Sequence, residues 1–500
     1  MIVLATLGCG SNSDKPKVKE DGGGSGTSQV APLVMPSIGI DHVKRMNFIY
    51  EGGKPAYEKA VAAYKAKPRD WAAVKLNAET ALSKDPNHLD AHRLLGTALA
   101  QSGDHAAAVD HLVTAMAADY YKYGASIPSD EDLREFLTTP HGQAITALAT
   151  KIKEDYARRV ATGVWVVARR SEFKWATGVQ AAASRGELYA FDRETKRYLR
   201  LTHTDHQVAG FVRAPAGTEV AILAFNQVDR PKAEESPPLL RAWVQVYDAV
   251  EWKPIGAKTT LPSTREVSVG YGAGDQLLVS AAPSTGRWTV ANAVVSSVDR
   301  TTGKLTKIAG VPPEPRVAMS IEEGRLVRSA DGVKAAWAGD PKAATSLESA
   351  GGAKIAVPES GAAAQATVSV APTSGRIAFA TAVDPCAKDA APSLYVADGK
   401  TGALKHVLTA KSRFATRWID ANVLAYEDGE GAIRIWDAST GREAMKLDNK
   451  PGLALDVLSL GAAPLCKQAP PTVEPVGSGS DDALPPEEGS GGSGPVIAPQ

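Results

Sequence analysis

The sequence predicts a multidomain chain in which an α-helical repeat module precedes an all-β, six-bladed propeller. Three observations predict it. Five hundred residues exceed what one compact core holds. The apolar spacing runs at period 3.6 up to about residue 160 and changes to period 2 at Thr162-Gly163. Beyond that change, one unit recurs: a strand ending in Asp, a turn usually holding Thr-Gly, and a second strand.

The bulk composition narrows the function classes. Lys+Arg and Asp+Glu both number 56, so the formal net charge is zero and no basic field favours DNA or RNA. Hydrophobic content is 44%, and no run reaches the 18 or so apolar residues of a membrane span. The three cysteines are Cys9, Cys386 and Cys466.

Residues 1–9, MIVLATLGC, set a short apolar run and Gly8 before Cys9, and everything behind Cys9 is polar. This junction resembles a bacterial lipobox, with Thr6 where leucine is usual and Leu7 one place late. The resemblance implies lipid attachment at Cys9, export, and anchoring by lipid alone in the cell envelope, facing the periplasm or exterior. The plainer reading is an N-terminal coil with an ordinary cysteine. Residues 10–39, rich in Ser, Lys, Asp and Gly, read as a flexible tether.

The helical module is expected over 40–160. Tyr57, Ala60, Val61 and Tyr64 lie at offsets 0, 3, 4 and 7, one face of a helix. A second helix, WAAVKLNAETALSK, is expected to stop at Asp85-Pro86. Next comes HLDAHRLLGTALAQSGDHAAAVDHLVTAMAADY, with Leu95, Gly96, Leu99, Ala108, Leu112 and Ala115 at 7, 8, 11, 20, 24 and 27. This stretch resembles a tetratricopeptide repeat, and Ala81 and Pro86 fit positions 27 and 32 of a preceding one. Small residues at 8, 20 and 27 let paired helices approach closely. Residues 129–160 read as two further helices capping the stack, with Ser129 as an N-cap and Pro140 between them.

From Gly163 the strand units place their aspartates at Asp192, Asp248, Asp299, Asp398 and Asp437, spaced 56, 51, 99 and 39. The gap of 99 is two units, so a degenerate copy is expected inside it. Strand pairs such as VRAPAGTEVAILAF resemble those of TolB-like propellers, and IRIWDASTG looks like a WD40 blade. The propeller is expected over 163–466. Its ends are expected to pair, with a lone strand at 452–460 beside 164–170, completing the sixth blade and removing two exposed edges. Residues 467–500, rich in Pro, Gly and Ser with five acids, read as disordered.

The sequence holds no phosphate loop, zinc-protease helix, Cys-x-x-Cys or dinucleotide fingerprint. His203, Asp205 and His206 carry metal-ligand chemistry but are expected on a solvated connecting loop. His88 and His92 stand four apart, yet His92 falls where the repeat packs a bulky side chain. No metal or cofactor is therefore expected. The inner face of the second repeat offers Asp90, Arg93, Thr97, Ala100 and Gln101, suited to an extended or helical peptide, with Arg93 for a carboxylate. The plainer reading is a solvated helix face. Export leaves Cys386 and Cys466 as the remaining thiols in an oxidising compartment, so they are expected to form a disulfide.

These features together point to a non-enzymatic scaffold or adaptor for a protein partner, with no nucleic acid. The alternative is an enzyme or glycan-binding protein acting at the propeller mouth, for which Trp165, Trp175 and Trp418 are the exposed aromatics to seek.

Overall fold

The computed structural model describes residues 32–43, 52–173 and most of 183–455, excluding chiefly 230–238, 282–293, 309–325, 338–345, 359–368 and 382–392. Cys9, Cys386, Cys466, Trp175 and the tail 467–500 lie outside the described residues. No helix among the described residues is long and apolar enough to cross a membrane.

The N-terminal part is built of helices α1 (Lys54–Lys65), α2 (Trp71–Lys84), α3 (Leu89–Gln101), α4 (His105–Ala118), α5 (Tyr120–Tyr123), α6 (Arg134–Thr138) and α7 (Pro140–Thr162). The starts of α2 and α4 are set by Asp70 and Asp104, whose carboxylates accept from the amides of Ala73 and Ala107. Helix α1 packs on α2, α2 on α3 and α3 on α4. The small residues decide how closely. A Cβ on Gly96 would lie 2.7 Å from Leu112 Cγ and 3.2 Å from the Ala108 carbonyl, so only glycine fits there. Ala81, Ala108 and Ala115 are fully buried at the same contacts.

Two expectations about this region are corrected. Ser129 does not cap a helix: its hydroxyl donates to the Ala125 carbonyl, and Asp130 caps the short 3-10 turn Glu131–Leu133 instead. Residues 38–43, expected where a flexible tether meets the helical module, are an irregular strap packed on the protein. Gly39 N donates to Ala117 O at 2.8 Å, Ile40 bridges Tyr198, and Ile38 and Val43 are buried. Apolar side chains two and three residues either side of that bridge give the strap a core to enter.

The β part consists of 24 strands among the described residues, all pairing antiparallel, in six groups of four. The second group is β4 (Val208–Arg213), β5 (Glu219–Asp229), β6 (Leu239–Asp248) and β7 (Pro254–Thr260). The third is β8 (Val267–Tyr271), β9 (Leu277–Ala281), β10 (Val294–Val298) and β11 (Leu305–Lys307). The fourth is β12 (Leu326–Arg328), β13 (Lys334–Trp337), β14 (Ser346–Ser349) and β15 (Lys354–Ala356). The fifth is β16 (Ser369–Val370), β17 (Ile377–Thr381), β18 (Ser393–Ala397) and β19 (Leu404–Thr409), and the sixth β20 (Thr416–Trp418), β21 (Val423–Glu427), β22 (Ala432–Asp437) and β23 (Arg442–Asp448).

The first group joins distant parts of the chain. Strands β1 (Val164–Phe173), β2 (Ala183–Asp192) and β3 (Arg197–Arg200) pair in order, and β24 (Leu453–Ala454) adds beside β1 through Val167↔Ala454 and Ala168↔Leu453. That is the pairing expected for the two ends of the β region. One pair, Gly186↔Val208, links the first and second groups into an eight-stranded sheet. Apolar cores sit between groups one and two, two and three, five and six, and six and one.

The recurring Asp is a turn device. Asp192, Asp248, Asp299 and Asp398 each accept two amide hydrogens, two and three residues on, and Asp437 accepts the first of these. Four residues past each Asp the backbone is left-handed: Gly303, Gly402 and Gly441 in three copies, Lys196 and Trp252 in two. The degenerate copy expected in the gap is the fourth group, where Ser349 replaces Asp and the turn to Gly352 is one residue shorter.

Candidate functional site

The helical face expected to take a peptide is occupied by the chain itself. Lys122 Nζ lies 2.8 Å from Asp90 Oδ1, and the Tyr123 hydroxyl donates to the same oxygen at 2.8 Å. Arg93 pairs with Asp130 at 2.6 Å. Thr97 is buried and turns its hydroxyl to the Arg93 carbonyl, and Gln101 donates to the Asp132 carbonyl. Asp132 in turn receives the Tyr64 hydroxyl at 2.7 Å and Arg69. The segment 119–133 thus satisfies Asp90, Arg93 and Gln101, the polar groups a bound peptide would engage. Burial works against ionisation of Asp90, yet Lys122 and Tyr123 hold its carboxyl below the usual range.

The histidines are placed at packing contacts. His203 Nε2 lies 2.9 Å from Asp119 Oδ2, joining the end of α4 to the loop after β3. Asp205 and His206 follow in left-handed backbone, with His206 buried and its amide donating to Glu187. His88 is the buried N-cap of α3: its Nδ1 accepts from Ala91 N, and its ring sits 4.4 Å from that of Tyr57. Desolvation pushes its pKa down to about 4. His92 meets His111 through their Nδ1 atoms at 2.8 Å and the Pro86 carbonyl through Nε2 at 2.9 Å, so it packs within the module and does not face His88. Among the described residues no three His, Cys, Asp or Glu side chains gather as a metal site.

The rim tryptophans are corrected as well. Trp165 and Trp418 are buried and donate to the carbonyls of Val160 and Ser369, so neither offers an exposed ring to a sugar.

Sequence reasoning missed the junction between the helices and the β groups. Helix α7 keeps Gln143, Thr150, Lys151, Glu154 and Arg158 exposed on one side, and its other side does more than close the helical stack. It packs on β2, and its fully buried Tyr156 donates to the Arg200 carbonyl at 2.9 Å. Trp252 enters the same core, 5.4 Å from Trp165 and stacked at 5.5 Å on Tyr247, and Tyr121 donates to the Val250 carbonyl. Beneath them Glu187, fully buried, accepts from Thr202 Oγ1 (2.5 Å), Thr204 N (2.8 Å) and His206 N (2.9 Å), with Arg200 at 3.3 Å. Arg159 joins Asp155 and Asp192 across the junction. The one available signal was a glutamate inside the apolar strand GELYAF, since a buried charge implies a bonded partner set.

Two arginines lie over neighbouring aromatic rings, Trp165 and Phe211, whose centroids are 5.7 Å apart. Arg213, ending β4, lies with its guanidinium 4.5 Å over the Trp165 ring. Arg417, in β20, lies 4.1 Å over the Phe211 ring and donates to the Leu455 carbonyl at 3.2 Å.

No known protein family and no curated protein matches the chain. Among solved structures it is similar to TolB from Acinetobacter baumannii, at 11% identity and TM-score 0.36, over 63% of this chain and 72% of that one. It is also similar to the tricorn protease, at 14% identity and TM-score 0.33, over 57% of this chain and 26% of that one, about a quarter of that protein's length. A third is the protein lmo1340 from Listeria monocytogenes EGD-e, at 10% identity and TM-score 0.29, over 55% of this chain and 82% of that one. At such scores the architecture rests on the strand pairing itself.

Proposed function

We propose that this chain is a non-enzymatic adaptor of the bacterial cell envelope, held by lipid on Cys9, that binds a protein partner. In this reading the six four-stranded groups are the blades of a closed propeller. The β24–β1 pairing supports closure, because it joins the end of the β region to its beginning and leaves neither edge open. The helical hairpins are the repeat module whose packing Gly96 and Ala108 permit.

One observation carries the adaptor reading. The helices, the first group and part of the second share a single apolar core, from Leu95 and Leu112 through Tyr156 to Trp165, Phe211 and Trp252. Two architectures that each present broad surfaces are therefore held in one orientation, which suits a body that positions a partner. The pairs that cross the junction, Asp119 with His203 and Arg159 with Asp192, hold that orientation.

Crosslinking in native membranes, followed by purification and rebinding of the captured protein to the full chain, tests the proposal. A partner that rebinds stoichiometrically, together with an intact mass showing lipid on Cys9, is the expected result. An unmodified chain in the soluble fraction, with nothing that rebinds, rejects it.

A further inference from the structure

We propose that the outer edge of β3, with Arg197 and the apolar hollows beside it, is a binding groove for a short peptide, and that residues 38–43 fill it as the chain's own ligand. The peptide it selects has an apolar residue, a glycine and a second apolar residue in succession, then a third apolar residue three places on. The groove does not depend on the adaptor reading, because the chain's own segment identifies it.

β3 pairs with β2 on one side, and the strap meets its other side through one bridge. Ile40 N donates to Tyr198 O at 2.8 Å, and Tyr198 N donates to Ile40 O at 2.7 Å. Gly39 N donates to Ala117 O at 2.8 Å, so the end of α4 forms the facing wall. Arg197 completes the backbone contacts: its Nε donates to Ile38 O at 2.9 Å and its Nη2 to Gly39 O. Half-buried Arg197 has no carboxylate partner among the described residues, and its guanidinium is directed at these two strap carbonyls. Residues 38–43 belong to no helix or strand, so contacts with the groove seat them.

Backbone bonds to a sheet edge give affinity, and pockets for side chains give specificity. Ile38 enters the core shared by the helices and the first group, Val43 enters the core between groups six and one, and Ile40 packs against both. Gly39, between the first two anchors, has a φ of +77°, and a Cβ there would lie 2.6 Å from Tyr198 O. Asp41 and His42 are exposed. Four of six positions are thus constrained and two are open, as in a recognised peptide. Chain connection keeps the segment beside the groove at an effective concentration of about millimolar, so it holds the site against a free peptide of similar strength. A partner segment of the same pattern and higher affinity displaces it.

The test is fluorescence anisotropy of a labelled peptide of residues 32–43, PLVMPSIGIDHV, titrated with the full chain. The wild-type chain, its groove filled, is expected to bind weakly. A full chain carrying Gly39→Val, whose own segment no longer fits, is expected to bind at least about tenfold more tightly. Arg197→Ala added to that chain should weaken the peptide at least about tenfold, the scale of lost charge-assisted hydrogen bonds. A peptide with the Gly39→Val change should not bind. If the Gly39→Val chain fails to fold, a protease site placed between the strap and α1 and cut after folding replaces it, and the nicked segment is expected to exchange for the labelled peptide. No binding to a folded Gly39→Val chain, equal binding of the Gly39→Val peptide, or a nicked segment that does not exchange overturns the proposal.

Discussion

At the scale of single residues, burial and backbone conformation set the expectations. His88 is held neutral first because burial disfavours the imidazolium, with Asp90 and Asp85 opposing and Lys122 adding to that, and its unprotonated Nδ1 then serves as the N-cap acceptor. Its folded pKa lies below the ordinary 6.5, so its contribution is complete above about pH 6.5 and is lost as the pH falls toward 4. His88→Asn keeps an N-cap acceptor and removes the titration. Urea unfolding followed by far-UV circular dichroism should then show a smaller loss of stability between those pH values. A residual loss should remain, since His92 and His111 are also shifted down by burial. Lys196 takes a left-handed φ of 58° where three other copies have glycine. Lys196→Gly should stabilise the chain by up to about 1 kcal/mol, read from the urea midpoint. Trp252 shares that conformation, and its indole lies in the junction core, which glycine would empty.

At the scale of elements, the Asp turn is the repeating unit and its bonds are local. Asp398 takes the amides of Lys400 and Thr401, each at 2.8 Å, and these bonds hold its carboxyl below the ordinary range. Its contribution is therefore present above about pH 4 and lost at lower pH. Asp398→Ala should destabilise the chain by about 1 kcal/mol at neutral pH, with Asp398→Asn recovering much of it, as thermal unfolding would show. This device was legible in the sequence because a side chain bonding its own turn needs only neighbours in the chain. The fourth group was legible only as a gap, since Ser349 closes its turn through Ala353 N with one residue fewer.

At the scale of the whole molecule, the shared core makes the helices and the first group one cooperative body. Calorimetry should show them unfolding in a single transition. Tyr156→Ala, which removes a fully buried ring and its bond to Arg200 O, should cost roughly 3–5 kcal/mol and lower that transition as a unit. Two separate transitions would contradict the shared core. The bond expected between Cys386 and Cys466 belongs to this scale too. It would close 80 residues, worth about 4–5 kcal/mol in the chain-entropy account. Thiol titration of the non-reduced protein should find neither free, and two reactive thiols would dismiss the bond.

The sequence by itself determined the helical hairpins, the recurring turns and the pairing of the two ends of the β region. Each follows from a short-range code: 3.6 or 2 periodicity, a small residue where helices meet, an acceptor two residues before an amide, and an unpaired strand at each end. Only the tertiary structure decided what covers the polar face of α3, why Trp252 stands in place of glycine, and which aromatic rings the arginines cover. Asp90 with Lys122, Glu187 with Thr202 and Arg417 with Phe211 are 32, 15 and 206 residues apart. Burial and charge pairing act through space, and no periodicity along the chain records which distant groups they bring together.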